Sequence, residues 1–286
     1  MNQLQLLGAI EIGLVYSLVA IGVYITFKVI DFPDLTVDGS FTLGAAVSSA
    51  LIFAGYNPYF STLIAIMAGG LAGVVTGYLN VRWSILGLLA GILTMTALYS
   101  INLRIMGRPN IAIIDAETVF NNWPVTLVIF IVALFITLGL ARFFSSELGL
   151  AIRAIGINPK VSSAYGIRVG TMKILALGIS NAIVALAGSL FAQSQGFADI
   201  SMGTGTIIVG LASVIIGEAI IHPERVWVGL VTCAIGSILY RIAIAFALNA
   251  HDIGLEASDL NLITAALVAI TMIATKLRTK KNVRTI

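Results

Sequence analysis

The sequence has 286 residues, of which 59% are hydrophobic and only 10% are charged. Soluble domains carry about 25% charged residues, so this composition excludes a soluble globular protein and indicates a polytopic membrane protein. The formal net charge of +3 is small, and the positions of the charges are more informative than their sum. We expect no cleavable signal sequence, because the first ten residues, MNQLQLLGAI, contain no basic residue.

Nine stretches of the chain are candidates for membrane spans, each of which needs about 20 mostly apolar residues. They are Leu6–Phe27, Gly39–Ala54, Pro58–Leu79, Ile85–Leu103, Pro124–Phe143, Met172–Gln193, Ser201–Ile220, Val226–Leu248 and Leu260–Thr275. The second and seventh are rich in glycine, serine and threonine, so we expect partial or broken helices there. The sequence therefore predicts an all-α fold of about nine transmembrane helices in one domain, residues 1–286.

The orientation in the membrane follows from the lysine and arginine residues of the short loops. Basic residues dominate the segment between the fifth and sixth spans and the tail after Ala274, which we place in the cytoplasm. The loop after the eighth span has Asp252, Glu256 and Asp259 without a basic residue. The N-terminus is then outside and the C-terminus inside, with Arg104 and Arg108 on the outside as a mild conflict.

Residues 144–170, between the fifth and sixth spans, predict a helix-turn-helix on the cytoplasmic side. Leu148, Ile152 and Ile155 have helical spacing and form one apolar stripe. Gly156 is predicted to end the first helix in a left-handed conformation. Asn158-Pro159 is predicted to begin the second, with the asparagine as N-cap. Such an element exceeds what a connector needs and is typical of a docking segment.

Polar residues inside the spans have two interpretations. Asp34 and Asp38 follow the first span. In one interpretation Asp38 or Ser40 is the N-cap of the next helix. In the other, which the sequence supports equally, this segment lines a solute pathway. Polar residues of the later spans either hydrogen-bond a solute or hold helices together; they are Thr94, Thr96, Ser100, Asn102, Ser180, Asn181, Thr204 and Thr206. The glycines spaced by four residues in the third and fourth spans indicate close helix packing within the chain.

Recognisable catalytic and metal-binding motifs are absent from the sequence. There is no H-E-x-x-H, no G-x-S-x-G and no cysteine–histidine set, and the single cysteine, Cys233, cannot form a disulfide within the chain. No Gly-Lys dipeptide occurs, so a nucleotide-binding P-loop is missing as well. The chain is therefore not expected to be an enzyme, and ATP-driven transport would need the ATPase on another polypeptide.

Three motifs carry a resemblance to a known family. They are GLVYSLVAIGVYITFKVIDFPDLTVDGSFTLGAAVS, LGLAIRAIGINPKVSSAYGI and GTGTIIVGLASVIIGEAI. The chain resembles the permease subunit of ATP-binding-cassette importers of the branched-chain amino acid and ribose type, over almost its whole length. The stretch TMTALYSINLRIMGRPNI resembles most the branch of tryptophan/tyrosine-like amino-acid uptake permeases. The late segment IGEAIIHPERVW departs from the family's glycine-rich turn and leaves the solute open.

The resemblance implies a translocating subunit in the inner (plasma) membrane, with ATP and magnesium held only by a partner ATPase. The other implied partners are an external substrate-binding protein, a second permease in a homodimer and the lipid bilayer, without nucleic acid. The residues implied to dock the ATPase are Leu150, Ile152, Arg153, Ala154, Ile155, Gly156, Asn158 and Pro159. The residues assigned to the translocation path by position and polarity are Asp34, Thr36, Asp38, Ser40, Thr94, Thr96 and Asn181.

Two further hypotheses concern mechanism and symmetry. The alternative function is an ion-coupled secondary transporter that uses Glu11 and Arg241 as a relay. In the structural interpretation of the same residues, Glu11 reaches the membrane interface and Arg241 forms an ion pair or reaches a lipid headgroup. An inverted repeat that relates spans two to five to spans six to nine is a hypothesis, based on the similar small-residue content of the second and seventh spans.

Overall fold

The computed structural model describes residues 3–114, 116–221, 223, 225–248, 265, 266 and 269. The helices are α1 Gln3–Tyr24, continued by a π-helical turn Ile25–Val29, α2 Thr36–Phe53, α3 Pro58–Trp83, α4 Gly87–Met106, α5 Val125–Phe144, α6 Glu147–Ile157, α7 Pro159–Ala164, α8 Val169–Gln195, α9 Thr206–Ile220 and α10 Val226–Leu248. Two short strands, β1 Asn110–Ala112 and β2 Phe197–Asp199, form one antiparallel pair in which Ile111 lies opposite Ala198.

The predicted all-α membrane fold is confirmed. Seven helical segments of the described chain are long and apolar enough to cross a membrane. The seventh predicted span is shorter, because its helix α9 begins only at Thr206, as a broken span would. The second is one continuous helix that begins at Thr36, three residues before its predicted start, so the expectation of a partial or broken helix there is wrong. The ninth predicted span and the basic tail fall almost entirely outside the described residues.

The core is built around α2 and α8, which are the most buried spans after packing. In the most apolar window of α2, 78% of the residues are buried, whereas in α5 the value is 22%. Glycines allow the close contacts in the core: a Cβ on Gly73 of α3 would lie 2.2 Å from the carbonyl oxygen of Leu177 on α8. The glycine spacing in the third span therefore serves packing within the chain.

The outer face is apolar and suited to a membrane. Large side chains such as Leu86, Phe135 and Leu138 are 60 to 77% exposed on α5 and at the start of α4. Exposed side chains of this size are unfavourable in water and favourable against lipid. The β1–β2 pair joins the loop after α4 to the end of α8 and lies at the end of the bundle opposite α6 and α7. This pair was not predicted from the sequence.

Two parts of the chain share a plan that bears on the repeat hypothesis. In the first, α1 with its π-helical turn is followed by the non-helical residues 30–35 and then by α2. In the second, α8 is followed by β2, by the non-helical residues 200–205 and then by the short α9. The inverted repeat stays a hypothesis, and this shared order makes α1–α2 and α8–α9 the segments to superpose in a test of it.

Candidate translocation site and coupling segment

The break between α1 and α2 carries the chain from one end of the bundle back into its interior. Phe32 packs beside Gly87 at the start of α4, and the ammonium of Lys173, near the start of α8, lies 6.0 Å from its ring centroid. Two residues later, Asp34 contacts Asn181, which lies 12 residues into α8 and so about 18 Å along that helix. The helix α2 therefore begins inside the bundle and not at its surface.

Asp34 fixes the start of α2. Its fully buried carboxylate accepts hydrogen bonds from the backbone N–H of Thr36 at 2.9 Å and from the Asn181 side-chain amide at 2.8 Å. The Thr36 hydroxyl in turn lies 2.7 Å from that of Thr76 on α3. Three residues predicted to lie on the path, Asp34, Thr36 and Asn181, thus meet in one buried network, in which the Asn181 side-chain oxygen has no partner among the described residues. Buried polar groups need such partners, because an unpaired one costs free energy.

Asp38 lies in the first turn of α2 and caps a different helix. Its carboxylate accepts hydrogen bonds from the backbone N–H groups of Gly205 at 3.0 Å and Ile207 at 2.8 Å, at the start of α9. A carboxylate at this place is favoured by the partial positive charge of a helix N-terminus. The expectation that Asp38 or Ser40 caps its own helix is wrong, since Asp34 bonds the first turn of α2. A single aspartate therefore joins two helices that both begin within the bundle.

A cavity of about 280 Å³ opens beside the Asp38–α9 junction. Asp38 and Thr42 of α2 form one side, and the segment that precedes α9, with Gly203, forms another. The remaining wall is one face of α4, made by Met95, Thr96, Tyr99 and Asn102. The Asn102 side-chain amide donates to the Gly39 carbonyl at 3.3 Å, while its buried side-chain oxygen has no partner among the described residues.

The seven predicted path residues fall into three groups. Asp38 and Thr96 line the cavity, whereas Asp34, Thr36 and Asn181 form the buried network behind it. Ser40 is fully buried, and Thr94 lines a separate apolar groove between α2, α3 and α4. Met95 and Tyr99 were missed, although their spacing with Asn102, at i, i+4 and i+7, marks one helix face and was available in the sequence.

The coupling segment, residues 144–170, contains α6 and α7, and the predicted N-cap of the second helix is present. The Asn158 side chain accepts from the backbone N–H groups of Lys160 and Val161, both at 3.1 Å, and Pro159 is the first residue of α7. The expectation for Gly156 is wrong, because α6 continues to Ile157 and Gly156 is helical. A Cβ on Gly156 would lie 1.8 Å from the carbonyl oxygen of Val29. Glycine is needed there for a close contact and not for a turn.

The predicted docking residues differ in exposure. Ile152 and Ile155 are fully buried against the chain's own helices. Leu150, Asn158 and Pro159 are exposed, while Arg153, Ala154 and Gly156 are half-buried. Exposed apolar residues that were not singled out extend this surface: Ile157 and Tyr165 are 87% and 83% exposed. The exposed apolar surface therefore lies at the first turn of α6, which includes Leu148 of the predicted stripe, on the turn between the helices and on α7. The other two residues of the stripe face the chain itself.

The proposed relay of Glu11 and Arg241 is not assembled as an ion pair. The Thr126 hydroxyl donates to the Glu11 carboxylate at 2.5 Å, and the Arg241 guanidinium lies over the Tyr16 ring, 4.2 Å from its centroid. In the part of the chain that the structure describes, the salt bridge that forms joins Lys28 and Glu218 at 2.7 Å. It ties the π-helical turn of α1 to the end of α9.

Comparisons with known proteins identify the family. A family model described as the permease component of the branched-chain amino acid transport system matches residues 5–277. The chain belongs to this family. It is similar to the tyrosine transport system permease protein of Clostridioides difficile, with 41% identity over 92% of this chain and 88% of the relative. No solved structure matches the chain.

More distant relatives of this permease have other named solutes. The probable branched-chain amino acid transport permease protein LivH of Methanocaldococcus jannaschii is 24% identical over 92% of this chain and 89% of its own. The autoinducer 2 import system permease protein LsrC of Escherichia coli is 25% identical over 64% of this chain and 55% of its own. The resemblance drawn from the three sequence motifs is confirmed, and the chain is a multi-pass membrane permease of a transport system.

Proposed function

We propose that this permease is the membrane subunit of an ATP-binding-cassette importer for an amino acid, with a tyrosine-like solute as the first candidate. The name and the 41% identity of the C. difficile relative support this class of solute. The cavity beside Asp38 supports it as well, because Met95 and Tyr99 offer apolar and aromatic surface next to polar groups. An external binding protein selects the solute, and the permease provides the path.

The other parts of the proposed importer follow from the surfaces of the chain. Two copies of the permease enclose the path, with the N-terminus outside and the C-terminus in the cytoplasm. The ATPase, which holds ATP and magnesium, docks on the coupling segment, where Leu150, Ile157 and Tyr165 present exposed apolar surface. Asn158 and Pro159 hold the turn between α6 and α7 in shape for that contact.

The observation that carries this proposal is a continuous chain of contacts from the coupling segment to the cavity. Gly156 of α6 lies directly on the carbonyl of Val29 at the end of the π-helical turn. The residues that follow Val29 pass through Asp34 to α2, whose Asp38 holds the start of α9. A shift of α6 is therefore transmitted through backbone contacts to both helices that begin inside the bundle.

The proposed switch acts at the Asp38–α9 junction. When α6 moves, residues 30–35 displace the start of α2, and Asp38 changes its position relative to the N–H groups of Gly205 and Ile207. Both helix starts border the cavity, so their relative movement opens it toward one side and closes it toward the other. The Lys28–Glu218 salt bridge also links the π-helical turn of α1, which directly precedes residues 30–35, to the end of α9.

The test is uptake of labelled tyrosine by proteoliposomes that hold the permease, its ATPase and its binding protein. We expect Gly156→Ala to reduce ATP-driven uptake at least tenfold, because the added methyl group displaces α6 from Val29. Gly139→Ala is the matched control, since a Cβ there meets no atom within 4 Å. Equal uptake by the two variants would contradict the proposed coupling path. Uptake driven by an ion gradient without the ATPase would favour the secondary transporter.

A further inference from the structure

A second polar cavity lies where α5 ends, next to the coupling segment and apart from the cavity at Asp38. It has a volume of about 320 Å³ and lies between the end of α5, helix α6 and the start of α10. Ser145, Arg153, Arg225 and Trp227 are among its lining residues. The transport path described above uses none of these side chains at this place.

The cavity is cationic and has no counter-charge among the described residues. Arg153 is half-buried on α6 and Arg225 is exposed directly before α10. Within the described ranges no carboxylate lies within 4.0 Å of either guanidinium, and the carboxylate of Glu218 is paired with Lys28. Guanidinium groups bind phosphate through paired hydrogen bonds. The start of the 23-residue helix α10 adds backbone N–H groups that favour an anion.

The surroundings indicate where that anion comes from. Leu134, Leu138, Ala141 and Ser145 follow one another on a single face of α5, at i, i+4, i+7 and i+11. Leu134 and Leu138 are 47% and 60% exposed, and Ala141 and Ser145 line the cavity. An apolar track on a membrane-spanning helix thus ends at the cationic cavity. Trp227, which is 51% exposed, lies at the same level, as tryptophan does at membrane interfaces.

We propose that this cavity binds the phosphate group of an acidic phospholipid, with an acyl chain along the Leu134–Leu138 face of α5. Basic pockets between membrane helices bind such headgroups. The bound phosphate bridges α6 and α10, which the two arginines bring to one site. Arg153 then holds the coupling helix to the membrane, and the ATPase docks on the exposed residues of the α6–α7 turn. The lipid anchors the element on which the ATPase acts.

The experiment measures phosphatidylglycerol binding to the purified permease in phosphatidylcholine nanodiscs, without ATPase. We expect Arg225→Gln and Arg153→Gln each to weaken binding about fivefold, the effect of one basic residue near a charged headgroup. Arg142→Gln is the matched control, because Arg142 is exposed near the end of α5 and does not line the cavity. Arg153→Lys, which keeps the charge, retains most of the binding and separates a lost contact from misfolding.

Three results would overturn the proposal. One is phosphatidylglycerol binding that is equal in the wild type and both glutamine variants. Another is full displacement of the lipid by millimolar inorganic phosphate, which identifies a site for a free anion. The third is that Arg153→Gln leaves lipid binding unchanged but abolishes recovery of the ATPase in a pull-down, which would assign Arg153 to the contact with the ATPase. Lipid binding is measured without transport, so a failure here leaves the importer proposal separately testable.

Discussion

Removal of the Asp38 carboxylate is expected to loosen the start of α9 and leave the rest of the bundle folded. The carboxylate accepts two backbone hydrogen bonds, at 3.0 Å from Gly205 and at 2.8 Å from Ile207. Hydrogen bonds to charged groups contribute about 1.5–3 kcal/mol each, and loss of a helix N-cap costs about 0.5–2 kcal/mol. Part of this is offset, because Asp38→Ala also relieves the burial of a charge. A net loss of roughly 2 kcal/mol follows.

The assay is amide hydrogen exchange of the first turn of α9, followed by mass spectrometry of the peptides that cover it. A loss of about 2 kcal/mol corresponds to exchange roughly thirtyfold faster in Asp38→Ala. Asp38→Asn keeps one acceptor oxygen, so we expect a smaller increase of about fivefold. Glu147→Ala is the control, because Glu147 is exposed at the start of α6. Unchanged exchange in α9 of Asp38→Ala would refute the assignment of this carboxylate as its cap.

Two further predictions concern the buried network and the end of β2. Asn181→Leu removes a donor at 2.8 Å from the Asp34 carboxylate and should destabilise the permease by about 2–3 kcal/mol. A melting temperature equal to that of Asn122→Leu, at an exposed position, would contradict this. The hydrogen bond from Ser201 holds the pKa of Asp199 below its usual value. Because the pKa of Asp199 is lower in the folded than in the unfolded state, its ionised carboxylate stabilises the folded protein at pH values above the unfolded-state pKa. This stabilisation is lost as the pH falls through the folded-state pKa. Asp199→Asn should therefore abolish that part of the acid dependence of the melting temperature, and an unchanged dependence would contradict it.

The positions of the helices could be predicted well from the sequence because apolar length and polar breaks are local properties. The seventh span was correctly predicted to be partial, since glycine, serine and threonine interrupt its apolar run. The second span, predicted to be partial or broken from the same composition, is one continuous helix because its small residues pack in the core. The cap of α7 was also predictable, because Asn158 and Pro159 act on the residues that follow them directly. These are short-range effects that each segment carries by itself.

Glycines and polar residues with distant partners were less predictable. Gly156 was expected to end a helix, yet its lack of a Cβ serves the contact with Val29, which is 127 residues away along the chain. Asp38 was expected to cap its own span, but the start of α9 offered free N–H groups once the helices had packed. The β1–β2 pair joins two loops whose sequences carry no strand signal of useful length.

The sequence by itself determined that this protein lies in a membrane, where its helices run, and to which family of permeases it belongs. These properties depend on the apolar content of each segment and on motifs within it. Only the tertiary structure decided that Asp34 and Asn181 form one network, that Asp38 joins α2 to α9, and that Arg153 and Arg225 share a cavity. The physical reason is that buried charges and free helix ends are stabilised by whichever partners packing brings within hydrogen-bond distance, and these partners lie far apart in the chain.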